Sequence, residues 1–420
     1  MKTKKSSATF IIFLCWLVYT VSYLGKLNYS ANITHIIKFY DISKAEAGLV
    51  PTFFFFAYGI GQVVNGLLCK KYNSKWTIFV SLGISAIINF IIPFISNFAI
   101  VKWLWMINGF VLSMLWPTLV SLLAYALPQK DLERSSAIMG TTVALGTLMI
   151  YGLSSLFSVF NNFRLAFYIP GIVGIVVSII WLISFNKALY ESKEEKDGEL
   201  QVSLKEEKTT KADGECWSRK IFMLSVCALC FCGVGVNLIK DGLTTWVPSI
   251  LKEEYSMTDS ISILLTLFLP IVAVFGNLYA LSVHKRIPDY VSHCCVVFAL
   301  MAVIIGVIIG CLEVKFAILM LVCLVIVNFL ASSLNSLITS IYPIFMRGKV
   351  NSGFYAGILN GFCYLGSTIS SYGLGYIADH FGWTAVFWFL IAVCIAVMIV
   401  CFVYKICSTT VKEKHFDRVS

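Results

Sequence analysis

The chain has 420 residues, of which 59% are hydrophobic and only 13% charged, with a formal net charge of +10. An ordinary soluble domain carries roughly a quarter charged residues, so a water-soluble globular fold is excluded: it would have nowhere to put this much apolar surface. The apolar residues also arrive in continuous runs, which excludes a transmembrane β-barrel built from alternating segments.

In chain order, apolar runs at 9–37, 47–68, 76–96, 101–126, 137–159, 163–185, 220–250, 260–282, 290–311, 316–342, 351–375 and 383–406 predict twelve membrane-spanning helices. Each is long enough to cross a hydrocarbon layer about 30 Å thick. The first run continues past the length of a signal-peptide core and shows no clear small-residue cleavage site, so it is expected to stay in the protein. Residues 186–219 are polar and charge-dense, including Glu191 to Asp197, and are expected to form a solvated linker. That divides the chain into an N-terminal six-helix bundle over 1–185, a linker over 186–219, and a C-terminal six-helix bundle with its tail over 220–420.

Charge placement sets the expected orientation. Lys2, Lys4, Lys5, Lys70, Lys71, Lys75, Lys130, Arg134, His284, Lys285, Arg286, Arg347 and Lys349 flank the spans on one side. The opposite segments mix signs: Lys38, Asp41, Lys44 and Glu46 after the first span, then Lys252, Glu253, Glu254 and Asp259 after the seventh. Positive flanks stay in the cytoplasm, so both termini are expected there, with the protein in the plasma membrane (the inner membrane in a Gram-negative cell). The excess of positive charge is a topology signal. It forms no coherent basic face, and no nucleic-acid partner is expected.

The two halves repeat. At an offset of 220 residues Gly146, Phe163 and Phe167 match Gly366, Trp383 and Phe387; near an offset of 214 to 215, Lys26 matches Lys240 and Tyr40 matches Tyr255. Internal symmetry of this kind places a binding site at the interface of the halves. Lys26 lies 17 residues after Thr9, about 26 Å along a helix, and Lys240 lies 20 residues after Lys220. A charge at that depth costs several kcal/mol unless it faces a wet or protein-lined cavity. Two ammonium groups at corresponding positions near a shared axis predict a site for a small anion held by charge-assisted hydrogen bonds: a phosphate, phosphate ester or carboxylate.

Further residues are expected around the pair. Tyr19 and Tyr23 share a helical face with Lys26, Tyr58 and Gln62 stand one turn apart in span 2, and Asn28 and Asn237 are candidate polar contacts. Asp241 beside Lys240, Trp246, Pro248, Gly357, Gly361 and Tyr364 are assigned to the pathway or its gating. Pro248 lacks a backbone donor and is expected to bend the outer end of span 7, while Gly353, Gly357 and Gly361 are expected to permit close helix approach. Several of the 14 cysteines, including Cys227, Cys230 and Cys232, sit inside apolar runs and fit buried thiols better than metal ligands. The five histidines form no ligand pattern, and neither a phosphate-gripping loop nor a nucleophile and base pair is present. The sequence therefore predicts no enzyme, no cofactor and no ATPase motor.

Three stretches carry a family resemblance. Tyr23-Leu24-Gly25-Lys26-Leu27-Asn28-Tyr29-Ser30-Ala31 resembles the helix 1 motif of the organophosphate:phosphate antiporters of the major facilitator superfamily. Lys240-Asp241-Gly242-Leu243-Thr244-Thr245-Trp246-Val247-Pro248 is similar to that family's helix 7 pattern, and Gly373 to Trp383 to its helix 11 to 12 junction. The resemblance implies an all-α membrane protein with twelve helices in two pseudo-symmetric six-helix bundles. It also implies exchange of an organic phosphate for inorganic phosphate by alternating access, the chain being expected to act as a monomer in the lipid bilayer. Lys26 and Lys240 stand where the family has paired substrate-binding arginines. Tyr19, Tyr23 and Tyr58 match pathway tyrosines of the glycerol-phosphate branch. Gln62 replaces a lysine of that branch, and the region around Val143 lacks its helix 5 histidine.

Overall fold

The computed structural model describes residues 7–68, 71–127, 129–160, 162–203, 219–287, 289–342 and 352–416. Lys2, Lys4, Lys5, Lys70, Arg347 and Lys349, used above for orientation, lie outside them. The described residues are helical nearly throughout. Spans 1 to 10 are Ala8–Ala31, Lys44–Leu68, Ser74–Phe94, Phe98–Leu123, Ile138–Val159, Leu165–Leu189, Phe222–Tyr255, Asp259–Val283, Tyr290–Glu313 and Ala317–Ile341. An eleventh apolar stretch, Gly357–Thr409, is too long for one crossing. It is divided at Gly382, whose φ of 77° and ψ of 174° are not helical. A side chain would strain that backbone, so glycine turns the chain and yields spans 11 (357–381) and 12 (383–409). The twelve crossings expected from the apolar runs are present.

Local sequence explains the interruptions. Span 4 breaks at Met114 and span 8 at Leu267. Pro117 and Pro270 follow three residues later, each removing the bond to the carbonyl four residues back and crowding it. Span 7 responds differently to Pro248: the helix Arg219–Tyr255 runs unbroken through it. The expected linker is also partly regular, since the helix of span 6 continues to Ser203. Only charge density marked that segment as solvated, and charged residues with good helix propensity extend a helix readily.

Spans 1 and 7 are the most enclosed, 72% buried in their apolar windows against 28% to 61% for spans 2 to 6 and 8 to 10. They form the axis. The repeat detected in the sequence has a structural counterpart there. A Cβ on Gly146 in span 5 would strike the carbonyl of Thr20 in span 1, and one on Gly366 in span 11 would strike the carbonyl of Val234 in span 7. Thr20 and Val234 are separated by the same 214 residues as Lys26 and Lys240. Each half thus packs a glycine of its fifth helix onto the backbone of its first, one and a half turns from the lysine. Phe167 and Phe387, the matched aromatics of spans 6 and 12, are both buried.

The glycine series of span 11 does not act as a unit. Gly361 approaches Val63 of span 2, whereas Gly357 has open space where its Cβ would be; the side of Gly353 lies outside the described side chains. Overpacking should therefore discriminate between two glycines of one helix. Gly366→Val is expected to destabilise by about 1–3 kcal/mol, whereas Gly357→Ala should be neutral or stabilising by up to about 1 kcal/mol. Thermal unfolding of the purified variants in detergent reads the difference.

Candidate functional site

Lys26 is 8% exposed, in the middle of span 1. Its Nζ lies 4.1 Å from the centre of the Tyr58 ring, 5.0 Å from Tyr23, 5.5 Å from Tyr364 and 5.8 Å from Phe54. The aromatic faces supply negative potential to the ammonium. Three spans and both halves build this cage: Tyr23 from span 1, Phe54 and Tyr58 from span 2, Tyr364 from span 11. The rings of Tyr58 and Tyr364 meet edge to face at 4.7 Å, and Gly59 lets the backbone of span 2 approach Tyr364. Tyr19 packs on Tyr23 at 5.4 Å and on Trp116 at 4.8 Å. The hydroxyls of Tyr19, Tyr23, Tyr58 and Tyr364 and the Gln62 amide interact with one another in a chain beside the ammonium.

Lys240 and Asp241 come from span 7 and are close enough to act electrostatically on Lys26. The Lys240 Nζ is 3.3 Å from the Asp241 Oδ1, and Ser367 of span 11 donates its Oγ–H to the Asp241 Oδ2 at 2.5 Å. The two lysines are therefore inequivalent. Lys240 has a carboxylate partner; Lys26 has only rings.

The structure brings Lys26, Tyr19, Tyr23, Tyr58, Gln62, Tyr364, Lys240 and Asp241 together. Asn237, one turn before Asp241, is 4% exposed and its Oδ1 has no hydrogen-bond partner. Other expected site residues belong elsewhere. Asn28 points into its own half, donating to the Asn89 Oδ1 at 2.7 Å and to the Ala166 carbonyl at 2.9 Å. Its polar atoms are consumed by packing span 1 against spans 3 and 6, so it is no solute contact. Trp246 is fully buried and donates to the Ser371 carbonyl at 3.2 Å. It fastens span 7 to span 11 within the C-terminal half, and its ring and the Lys44 carbonyl of span 2 both close on Gly375.

One functional feature escaped sequence reading: the two halves are joined on one side of the cluster. The Lys44 Nζ is 3.0 Å from the Glu253 Oε2 and 3.6 Å from the Asp379 Oδ1. Asp379, at the end of span 11, also accepts from the backbone N–H groups of Lys44 at 3.2 Å and Ala45 at 2.6 Å. It caps the first turn of span 2 from the opposite half, where an anion is favoured by the helix dipole. Thr34 donates to Asp259 at 2.9 Å, while Ser155 and Ser260 donate to each other's carbonyls at 2.9 and 3.0 Å. Nearer the cluster, Tyr151 donates to the Thr244 carbonyl at 3.2 Å and Thr52 to the Thr368 carbonyl at 3.1 Å. These bonds tie spans 2 and 5, and the short helix Ile33–Tyr40 that follows span 1, to spans 7, 8 and 11 at the end opposite Lys71 and Lys75. All of these cross-half bonds lie on the Lys44 side of Gly361.

The sequence matches the Major Facilitator Superfamily profile over residues 15–355. The chain belongs to this superfamily. It is 22% identical to a probable hexose phosphate transport protein of Chlamydia trachomatis, over 93% of this chain and 89% of the relative. It is 21% identical to the glycerol-3-phosphate transporter of Bacillus subtilis, over 91% and 88% of the two chains. Among solved structures, a bacterial homolog of the human lysosomal transporter Spinster superposes with a TM-score of 0.75 at 13% identity, covering 95% of this chain and 97% of that one. The facilitator fold of two six-helix bundles thus accounts for the whole of the described chain.

The seam of this facilitator can be probed directly. In the double variant S155C/S260C, oxidation is expected to join spans 5 and 8 in most molecules, read by mass spectrometry of unreduced peptides; no cross-link would contradict the seam. Adding Asp379→Ala should lower the closed-to-open ratio by a factor of about 5–30, the effect of losing roughly 1–2 kcal/mol of helix capping and partly exposed ion pairing, and slow the cross-link accordingly.

Proposed function

We propose that this protein is a secondary transporter of small organic anions which exchanges an organic phosphate for inorganic phosphate by alternating access. The observation that carries the reading is the meeting of Lys26 and Lys240, from corresponding positions of spans 1 and 7, at a seam between the halves. Lys26 has no ion-pair partner among the described residues and is enclosed by rings that lie on both halves. An entering anion would give it the charge partner it lacks and draw span 11 toward spans 1 and 2. The similarity to transport proteins named for hexose phosphate and glycerol-3-phosphate supports a phosphate ester as the solute.

In this reading the protein sits in the cell membrane as a monomer, with both termini in the cytoplasm. The structure is then closed on the outer side, where Lys44, Glu253 and Asp379 meet, and binds its solute from inside. The anion neutralises the site, lowers the cost of enclosing it and allows the bundles to rock about Lys26. Residues 1–185 and 220–420 are the two rocking units, and 186–219 connects them.

The test is uptake of labelled phosphate esters by liposomes containing the purified protein, loaded with inorganic phosphate or left phosphate-free. Uptake that requires internal phosphate is expected. Uptake driven instead by a proton or sodium gradient would establish an ion-coupled organic anion symporter, and ligand binding without flux would establish a sensor. Lys26→Gln and Lys240→Gln should each lower substrate affinity roughly thirtyfold, for about 2 kcal/mol of lost charge-assisted bonding. Wild-type affinity in both variants would remove the two lysines from the site.

A further inference from the structure

Resting on that reading of the site, we propose that the carboxylate of Asp241 is a fixed part of it and selects solutes carrying a net charge of −1, chiefly zwitterionic phosphate esters whose amine or hydroxyl faces span 7. The two lysines and this carboxylate are the charged side chains of the cluster. Together they hold one net positive charge. A dianionic ester would leave a net negative charge in the closed complex, and an isolated buried charge is costly. A solute with net charge −1 leaves none, and inorganic phosphate meets the same rule when it enters as its monoanion.

The carboxylate cannot simply swing away to make room for a dianion. Its Oδ2 is bonded to Ser367, which is fully buried in span 11, and its Oδ1 is paired with Lys240. It therefore stays beside the bound solute and repels a second negative charge. The same carboxylate has acceptor capacity left, since its two oxygens offer about four lone-pair sites in total.

An independent observation lies one turn away. The Asn237 side chain, on the helix face of Asp241, has an Oδ1 that is buried without a partner. Buried polar groups in a stable fold are hydrogen-bonded, so this amide is left for the solute. A bare phosphate group would occupy Lys26 and the tyrosine hydroxyls; the organic body of the solute would meet Asn237 and Asp241. A donor such as ammonium satisfies both and supplies the compensating charge. The site is thus bipolar: cation and hydroxyls on spans 1 and 2, acceptors on span 7.

Binding to the full-length purified protein is measured at pH 8, where an ester phosphate is doubly ionised. The probes are 2-aminoethyl phosphate, net −1, and glycerol phosphate, net −2. Wild type is expected to prefer the aminated ester on the order of tenfold, the scale of one unit charge acting across several ångströms of a partly wet site. Asp241→Asn, nearly isosteric, should invert the preference, and Asp241→Glu should restore it; thermal unfolding confirms that each variant is folded. A wild-type preference for glycerol phosphate, or a ratio unchanged in Asp241→Asn, overturns the proposal. Should both esters fail to bind, the phosphate reading fails, and lactate against malate then tests the same charge rule: monoanion preference inverted by Asp241→Asn supports it, and equal binding of the pair overturns it.

Discussion

The rest of the site depends on one constraint: an ammonium group must be held in a nearly dry seam with no carboxylate paired to it, the nearby Asp241 being paired with Lys240. Moving a charge to membrane depth costs several kcal/mol. Four ring faces within 6 Å of the Lys26 Nζ return part of that, each worth roughly 0.5–2 kcal/mol. Ring quadrupoles lower the cost of the charge without cancelling it, so the group keeps its attraction for an anion. A carboxylate at the same distance would have stabilised the empty protein more and the loaded one less. Tyr364 is the ring the opposite half contributes to this cage; in the proposed exchange it would leave Lys26 when the halves separate.

Backbone symmetry and chemical asymmetry coexist around this group. Gly146 on Thr20 and Gly366 on Val234 place spans 1 and 7 at equivalent depths in their halves, which is why Lys26 and Lys240 arrive at one level. Their surroundings then diverge. Span 1 offers Tyr19 and Tyr23 on the face of its lysine, whereas span 7 offers Asn237 and Asp241 and takes Ser367 from span 11. A symmetric pair of cations would suit a symmetric anion. The observed pair suits a solute with two chemically different ends.

Much of this architecture was legible in the sequence because hydropathy is a local property and twelve crossings follow from contiguous residues. The break at Gly382 lay in a stretch, His380-Phe381-Gly382-Trp383, that already marked the passage from span 11 to span 12. The lysine pair was legible for a related reason, since charge in an apolar run is conspicuous. Direction within a helix was harder to read. Asn28 lies two residues beyond Lys26, about 200° around the helix, and points to spans 3 and 6; its polarity is used in packing. Trp246 donates to span 11 and closes on Gly375 beside the Lys44 carbonyl, a tertiary relation that its aromatic character alone does not reveal. The seam at Lys44 and Asp379 was the least visible part. Asp379 is 335 residues from Lys44 and entered the sequence reading only as one residue of the junction motif.

The composition of that seam suits a closure that must reopen. Glu253 is 40% exposed at its side chain and Lys44 19%, so their pairing is screened and worth no more than about 1 kcal/mol. The neighbouring contacts are single hydrogen bonds, including Thr34 to Asp259 and the Ser155 and Ser260 exchange, each contributing roughly 0.5–1.5 kcal/mol net. When the seam opens, water can satisfy the same donors and acceptors, so these polar contacts add little to the free-energy difference between closed and open. Span 2 also packs closely on span 11, where Gly48 meets the Ser371 carbonyl and Phe55 stacks on Tyr364, and opening must separate that surface as well. In the proposed exchange the binding energy of the anion supplies the remainder, since a ligand moves a two-state equilibrium only by its difference in affinity for the two states.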